Sequence, residues 1–195
     1  MREPTDIPVI ILAGGASRRF GTPKGVADIN GRRLIDLVIQ RMQAQTRAPM
    51  AINAAATGVY SELGLDMVPD QLGDQLGPLA GLHAGMLWAE EQGYDCLATV
   101  AIDMPHLPSN ILSVLRLCGA PAIAASRGRE HFVCGLWPTG LAEALAAFVR
   151  SGERAAGAWA RECEATVVHF SDDAYGRDPF FNVNTRIDLA KVAVR

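Results

Sequence analysis

The segment Leu12-Ala13-Gly14-Gly15-Ala16-Ser17-Arg18-Arg19-Phe20-Gly21-Thr22-Pro23-Lys24-Gly25 sets glycines and cations directly behind an apolar run. Glycine lets backbone N–H groups approach phosphate oxygens closely and accepts positive φ. Arg18 and Lys24 add positive charge suited to a triphosphate and its departing pyrophosphate. Two better-known phosphate loops do not fit. A Walker A loop needs Gly-Lys-Ser/Thr, whereas Gly21 is followed by Thr22-Pro23-Lys24. A dinucleotide fingerprint needs G-x-G-x-x-G, which Gly14-Gly15 and Gly21 do not supply. The plain alternative is a glycine turn flanked by solvated arginines.

Other candidates lie where apolar runs stop. Asp103 ends one such run, and an ionised carboxylate there suits a hard oxygen ligand for Mg²⁺. The competing reading is a turn aspartate ahead of Met-Pro-His-Leu-Pro. Asn53 and Asp70 close or follow strand-like stretches and equally fit turns. Asn182 and Asn184 are two residues apart, so an extended 180–184 aims both amides at one face; strand-to-helix turn chemistry is the alternative. His83, His106 and His169 have no partner evident from spacing and read as surface or satisfied histidines. Trp88, Trp137 and Trp159 read as packing residues.

The elements that must position these groups alternate in type. Residues 7–13 are a short continuous apolar run, as in a parallel strand covered on both faces. Residues 14–31 read as a long loop. Leu34, Ile35, Val38, Ile39 and Met42 recur at helical spacing, predicting a helix over 32–46. Strands are expected at 49–54 and 65–68, with a short helix near 57–63 between them. Helices at 78–91 and 108–117 flank a strand at 96–102, with Pro108 placed in the first helical turn. Strands at 121–125, 131–137 and 166–170 follow, with helices at 139–149 and 153–163 between the last two. A last short strand is expected at 180–183, then a capping box at Thr185-Arg186-Ile187-Asp188 opening a helix to about residue 193. This alternation predicts an α/β fold, a three-layer sandwich with a mostly parallel central sheet, in one domain over 1–195.

Composition narrows the functional classes. The chain has 195 residues, 49% of them hydrophobic, enough for one sizeable core. Net charge is −3, from 18 basic and 21 acidic residues with no basic stripe, so no nucleic-acid partner is expected. No apolar stretch approaches the ~20 residues of a membrane span, and no secretory signal is read at the start. The four cysteines, Cys96, Cys118, Cys134 and Cys163, form no C-x-x-C pair. Cys96 and Cys134 read as buried free thiols. A reduced cytoplasmic location is the expectation.

The fourteen-residue string at 12–25 resembles the nucleotidyltransferase superfamily signature L-A-G-G-x-x-x-R-M-G-x-x-K. Within that superfamily the chain is most similar to the molybdenum cofactor guanylyltransferases, along nearly its whole length. Further motifs are Gly77-Pro78-Leu79-Ala80-Gly81, Asp103-Met104-Pro105, Gly152-Glu153-Arg154 and Phe181-Asn182-Val183-Asn184-Thr185. Departures are Phe20 for Met, Phe132 for Pro after His131, and Arg186-Ile187 for Pro-Glu.

The resemblance implies a Rossmann-like nucleotidyltransferase fold. It implies GTP contacts from Leu12, Ala13, Gly14, Lys24, Asn53, Asp70 and Asp103, with Gly15 shaping the loop. It implies Mg²⁺ on Asp103 and molybdopterin contacts from Asn182 and Asn184. The reaction expected is in-line attack of the terminal phosphate of molybdopterin on the α-phosphorus of GTP. Lys24, Asp103 and Arg18 would carry catalysis by charge neutralisation. Molybdoenzyme assembly chaperones are expected partners. The alternatives are the cytidylyltransferase of the same cofactor, a sugar-phosphate nucleotidyltransferase, or a non-catalytic nucleotide-binding adaptor for molybdoenzyme assembly.

Overall fold

A computed structural model describes residues 6–14, 24–54, 58–73 and 76–193. Its main sheet has seven strands, β1 (Val9–Leu12), β4 (Met50–Asn53), β5 (Asp66–Met67), β6 (Cys96–Ala101), β7 (Ala122–Ser126), β8 (Arg129–Pro138) and β9 (Thr166–His169), in the order β5-β4-β1-β6-β8-β7-β9. The pairs β1–β4, β1–β6, β4–β5 and β7–β9 are parallel; β8 runs antiparallel to both of its neighbours. A second, two-stranded ribbon joins β2 (Asp28–Ile29) to β3 (Arg32–Arg33).

The alternation of strand side chains sorts the core into two layers. On β1, Val9 and Ile11 face one apolar cluster, with Ile35, Val38 and Met42 of α1 (Leu34–Gln43) and Leu112 and Leu115 of α3 (Ile111–Cys118). Ile10 and Leu12 face the other, with α2 (Pro78–Glu91), α4 (Ala142–Arg150) and α5 (Ala156–Glu162), which supply Leu79, Met86, Leu145 and Trp159. Because both faces are covered, β1 is apolar at every position. The result is the expected three-layer α/β arrangement. A small third cluster packs α6 (Arg186–Ala193), through Val192 and Leu189, against Ile29 and Leu34.

Three expectations change. Residues 180–183 form no strand; the N–H groups of Phe181 and Val183 donate instead to the carbonyls of Asp178 and Asp103. A β2–β3 hairpin, turned at Asn30-Gly31 where φ is 53° and 80°, runs from the end of the expected 14–31 loop into the first two residues of the helix expected over 32–46, which starts at Leu34. Pro108 does not open α3, which starts at Ile111; the Pro108 carbonyl accepts from Ile111 N at 3.3 Å.

Candidate nucleotide and acceptor site

Parallel strands end together at the carboxyl edge, and that edge gathers the candidates. Leu12 is in register with Asn53 on β4 and with Ala101 on β6. Just beyond, Ala13 N donates to the Asn53 carbonyl at 2.8 Å and Ile102 N to the Leu12 carbonyl at 3.2 Å. Leu12, Ala13, Gly14, Asn53 and Asp103 therefore share one rim, beside the central strand at which the chain switches from one half of the sheet to the other. Such switch points are where open α/β sheets bind ligands.

Asn53 is buried, 5% exposed. Its amide nitrogen donates to the Val68 carbonyl at 2.9 Å and to Asp70 Oδ1 at 2.8 Å. Asp70 is itself exposed, so the pair presents a carboxylate at the rim, oriented from below by a buried amide. The Asn53 oxygen occupies the space of a missing side chain on α2: a Cβ on Gly81 would lie 2.2 Å from Asn53 Oδ1 and 2.9 Å from Leu12 Cδ2. The Gly77-Pro78-Leu79-Ala80-Gly81 motif thus has a packing reason. Pro78 sits in the first turn of α2, and Gly81 lets the helix close over Asn53.

Asp103 follows β6 and is partly buried. Its carbonyl accepts from Val183 N at 2.9 Å, which ties the Asn182-Val183-Asn184 motif to the end of β6. Met104 is 2% exposed, and the Cys134 thiol lies 3.3 Å from its sulfur. Burial pushes that thiol up to about 12, so Cys134 acts as packing beneath the rim. Asn182 is half-buried, with Oδ1 out of solvent and without a hydrogen-bond partner among the described residues; Asn184 is exposed. The two amides do not share a strand face, because the segment curls at Asp178–Phe181. The cap after it is as read: Thr185 Oγ1 accepts from Asp188 N at 3.2 Å, and Asp188 Oδ2 accepts from Thr185 Oγ1 at 2.9 Å and Asn184 N at 3.1 Å.

Gly15 and Arg18 lie outside the described residues, and Lys24 is described only by its backbone, in a 3₁₀ turn Lys24–Val26. The signature's arginine column falls on Arg19, also outside them. The position of that turn is fixed by its neighbour. A Cβ on Gly25 would lie 2.3 Å from Ile102 Cδ1 and 2.7 Å from the Tyr60 hydroxyl. Tyr60 is 3% exposed and hydrogen-bonded to the Gly25 backbone. Nothing in the sequence marked Tyr60 for this role.

The histidines differ from expectation. His169 is exposed, but His83 Nδ1 and His106 Nε2 are buried and have no hydrogen-bond partner among the described residues. Cys96 is half-buried and Cys134 fully so; all four cysteines are free. The three tryptophans pack as read, and Trp88 also donates to Asp66 Oδ2 at 3.1 Å. Among the described residues no three His, Cys, Asp or Glu side chains cluster as a protein-only metal cage, and no helix is long and apolar enough to cross a membrane.

Residues 9–167 match the MobA-like NTP transferase domain. A protein of Acidiphilium cryptum named molybdenum cofactor guanylyltransferase is 37% identical over 193 residues, covering 97% of this chain and 96% of its own. One of Cereibacter sphaeroides with the same name is 37% identical over 186 residues, covering 93% of each. Among solved structures, the molybdopterin-guanine dinucleotide biosynthesis protein A of Archaeoglobus fulgidus superposes with a TM-score of 0.70 at 20% identity, over 96% of this chain and 97% of that one. A CMP:2-keto-3-deoxy-manno-octonic acid synthetase in complex with CTP gives 0.70 at 14% identity, over 96% and 97%. These two likenesses concern the fold.

Proposed function

From the premise that this chain belongs to the MobA-like NTP transferase family and, within it, to the molybdenum cofactor guanylyltransferases, we propose that it transfers GMP from GTP to the terminal phosphate of molybdopterin and releases pyrophosphate. The chain is a nucleotidyltransferase; the substrates and residue roles are the proposal, for one catalytic domain in the reduced cytoplasm. The observation that carries it is the shared rim of Leu12, Asn53 and Asp103, with the Asn182 motif hydrogen-bonded to Asp103 through Val183. A nucleotide at the ends of β1 and β4 and an acceptor at residues 182–184 would then meet at Asp103.

Leu12, Ala13, Gly14 and Gly15 offer backbone groups to the nucleotide. Asn53 orients Asp70, whose exposed carboxylate accepts hydrogen bonds from the base or ribose. Lys24 and the arginines Arg18 and Arg19 neutralise phosphate charge. The acceptor phosphate is already anionic, so no side chain has to remove a proton. Positioning and charge neutralisation are the chain's contribution. Asn182 Oδ1, buried and without a partner among the described residues, is an acceptor for a pterin N–H, and Asn184 follows it two residues on as a second molybdopterin contact.

Mg²⁺ fits this donor set. It binds through one or two carboxylates, substrate phosphates and water rather than in an all-protein cage. Asp103, a partly buried carboxylate at the rim, would hold it. When bound, the ion supplies positive charge to the phosphate oxygens.

The test is pyrophosphate release from GTP, CTP, ATP and UTP, each with and without molybdopterin. Release with GTP alone among the four, dependent on molybdopterin, is expected. Comparable use of CTP would move the chain to the cytidylyl branch. GTP binding without turnover would make it an adaptor.

A further inference from the structure

A buried polar knot joins the β7–β8 hairpin to the segment after β9. Ser126 closes β7 and is 1% exposed, and His131 on β8 is 5% exposed. The Ser126 hydroxyl donates to Asp178 Oδ1 at 2.7 Å and lies 2.8 Å from His131 Nε2. A hydroxyl has one proton, and a carboxylate only accepts. The serine proton therefore goes to Asp178, and His131 Nε2 carries the proton it donates to Ser126. His131 reaches this place because β8 is irregular here: Ile123 pairs with Gly135 and the next residue, Ala124, with His131.

The knot continues into the acceptor-side motif. Asp178 Oδ1 also accepts from Phe180 N at 2.9 Å, and the Asp178 carbonyl accepts from Phe181 N at 3.2 Å. Phe180, 1% exposed, stacks on the His131 ring with centroids 4.6 Å apart and planes 16° from parallel. The chain is next fixed at Val183, whose N–H donates to the Asp103 carbonyl. Only residues 179–182 separate Asp178 from Val183, and Asn182 is one of them. Apolar burial of Phe180 alone is non-directional. The hydrogen-bonded knot is satisfied in one arrangement, and that arrangement sets the register of the segment.

We propose that Ser126 and Asp178 are positioning residues for the acceptor substrate: by fixing residues 178–183 they place Asn182, and so govern molybdopterin binding while leaving the GTP side untouched. This rests on the assignment of Asn182 and Asn184 to molybdopterin. The nucleotide side hangs from β1 and β4, across β6 from the knot.

The test uses the full chain with Mg²⁺, GTP and molybdopterin. Wild-type transfer is measured first; its absence overturns the functional reading, and this inference with it. KM for each substrate and Kd for GTP are then measured for Ser126→Ala, Asp178→Ala and Asp178→Asn. The alanine variants should raise KM for molybdopterin about fivefold or more, the worth of one or two lost hydrogen bonds. Kd for GTP should stay within about twofold. Asp178→Asn keeps an oxygen that accepts from Ser126 and Phe180 N, and should restore KM close to the wild-type value. Ser126→Cys, which keeps the shape and only weakens the hydrogen bonds, must shift KM the same way should the alanine variants not fold. Equal shifts for both substrates, or loss of active protein with unchanged KM values, overturn the inference alone.

Discussion

The side-chain amide of Asn53 donates to Asp70 Oδ1 at 2.8 Å, so two residues 17 apart in sequence act as one unit at the sheet edge. Asn53 is buried and Asp70 exposed, which makes the asparagine the support and the aspartate the contact. Asn53→Ala and Asp70→Ala should each weaken GTP binding, and the double variant should be little worse than the worse single one. Isothermal titration should return a coupling of about 1 kcal/mol, as for groups sharing one hydrogen bond. Additive losses would show that the two residues act separately.

Asp103→Asn should keep the fold and lower turnover on the order of 10²-fold or more, as expected for loss of an electrostatic catalytic group. The tie to Val183 uses the Asp103 backbone carbonyl and survives the change. Melting temperature should stay within a few degrees of wild type. Near-normal turnover at saturating Mg²⁺ would remove the carboxylate from the mechanism.

Much of this arrangement was legible because single segments carry it. Leu79, Leu82 and Met86 behind Pro78 gave α2 its span, and the all-apolar β1 implied a sheet covered on both faces. Long-range geometry was not legible in the same way. Ser126, His131 and Asp178 meet only because an irregular antiparallel strand folds back on β7, which no periodicity announces. Residues 180–183 are apolar enough to suggest a strand, but the Asp178 carboxylate captures Phe180 N and the Asp178 carbonyl captures Phe181 N, and the first of these, a side-chain-to-backbone bond, is of the kind that competes with strand pairing. The β2–β3 hairpin had a readable signal that glycine-loop reasoning overlooked: Asn30-Gly31, the dipeptide that best accepts two positive φ values.

Stability should fall on the acid side of neutrality. Burial is the first cause holding His83, His106 and His131 below the ordinary value of 6.5, with Arg150, Arg177 and Arg129 respectively adding repulsion and Glu143, Asp173 and Asp178 opposing it. A histidine depressed in the folded state is protonated first in the unfolded chain. The stability is therefore full above pH 6.5 and lost as pH falls through the interval below it. Melting temperature should drop by several degrees between about pH 7 and pH 5. His83→Gln should flatten that slope, since His83 Nδ1 has no hydrogen bond to lose among the described residues. A flat profile across this range in the wild type would contradict the burial argument.

Lys24 and Asp103 are brought together through their chain neighbours. Each has a chain neighbour in the same tight contact: Gly25 follows Lys24, Ile102 precedes Asp103, and a Cβ on Gly25 would lie 2.3 Å from Ile102 Cδ1. The Tyr60 hydroxyl closes the third side, 2.7 Å from that Cβ position. Gly25→Ala must therefore displace the 3₁₀ turn that carries Lys24, shift Ile102 beside Asp103, or push Tyr60 out of a site where it is 3% exposed. The first of these moves Lys24 relative to Asp103, and misplacement by about 1 Å is enough to cost roughly 10²-fold in turnover. Tyr60→Phe keeps the ring and removes only the hydroxyl's hydrogen bond to the Gly25 backbone, so its effect should be smaller, about threefold to tenfold. Single-turnover rates at saturating GTP distinguish the two, since displacement of a charge from the reacting phosphate lowers the rate itself. Gly25→Ala with wild-type single-turnover kinetics would show that the turn tolerates the shift and that Lys24 is not held through Gly25.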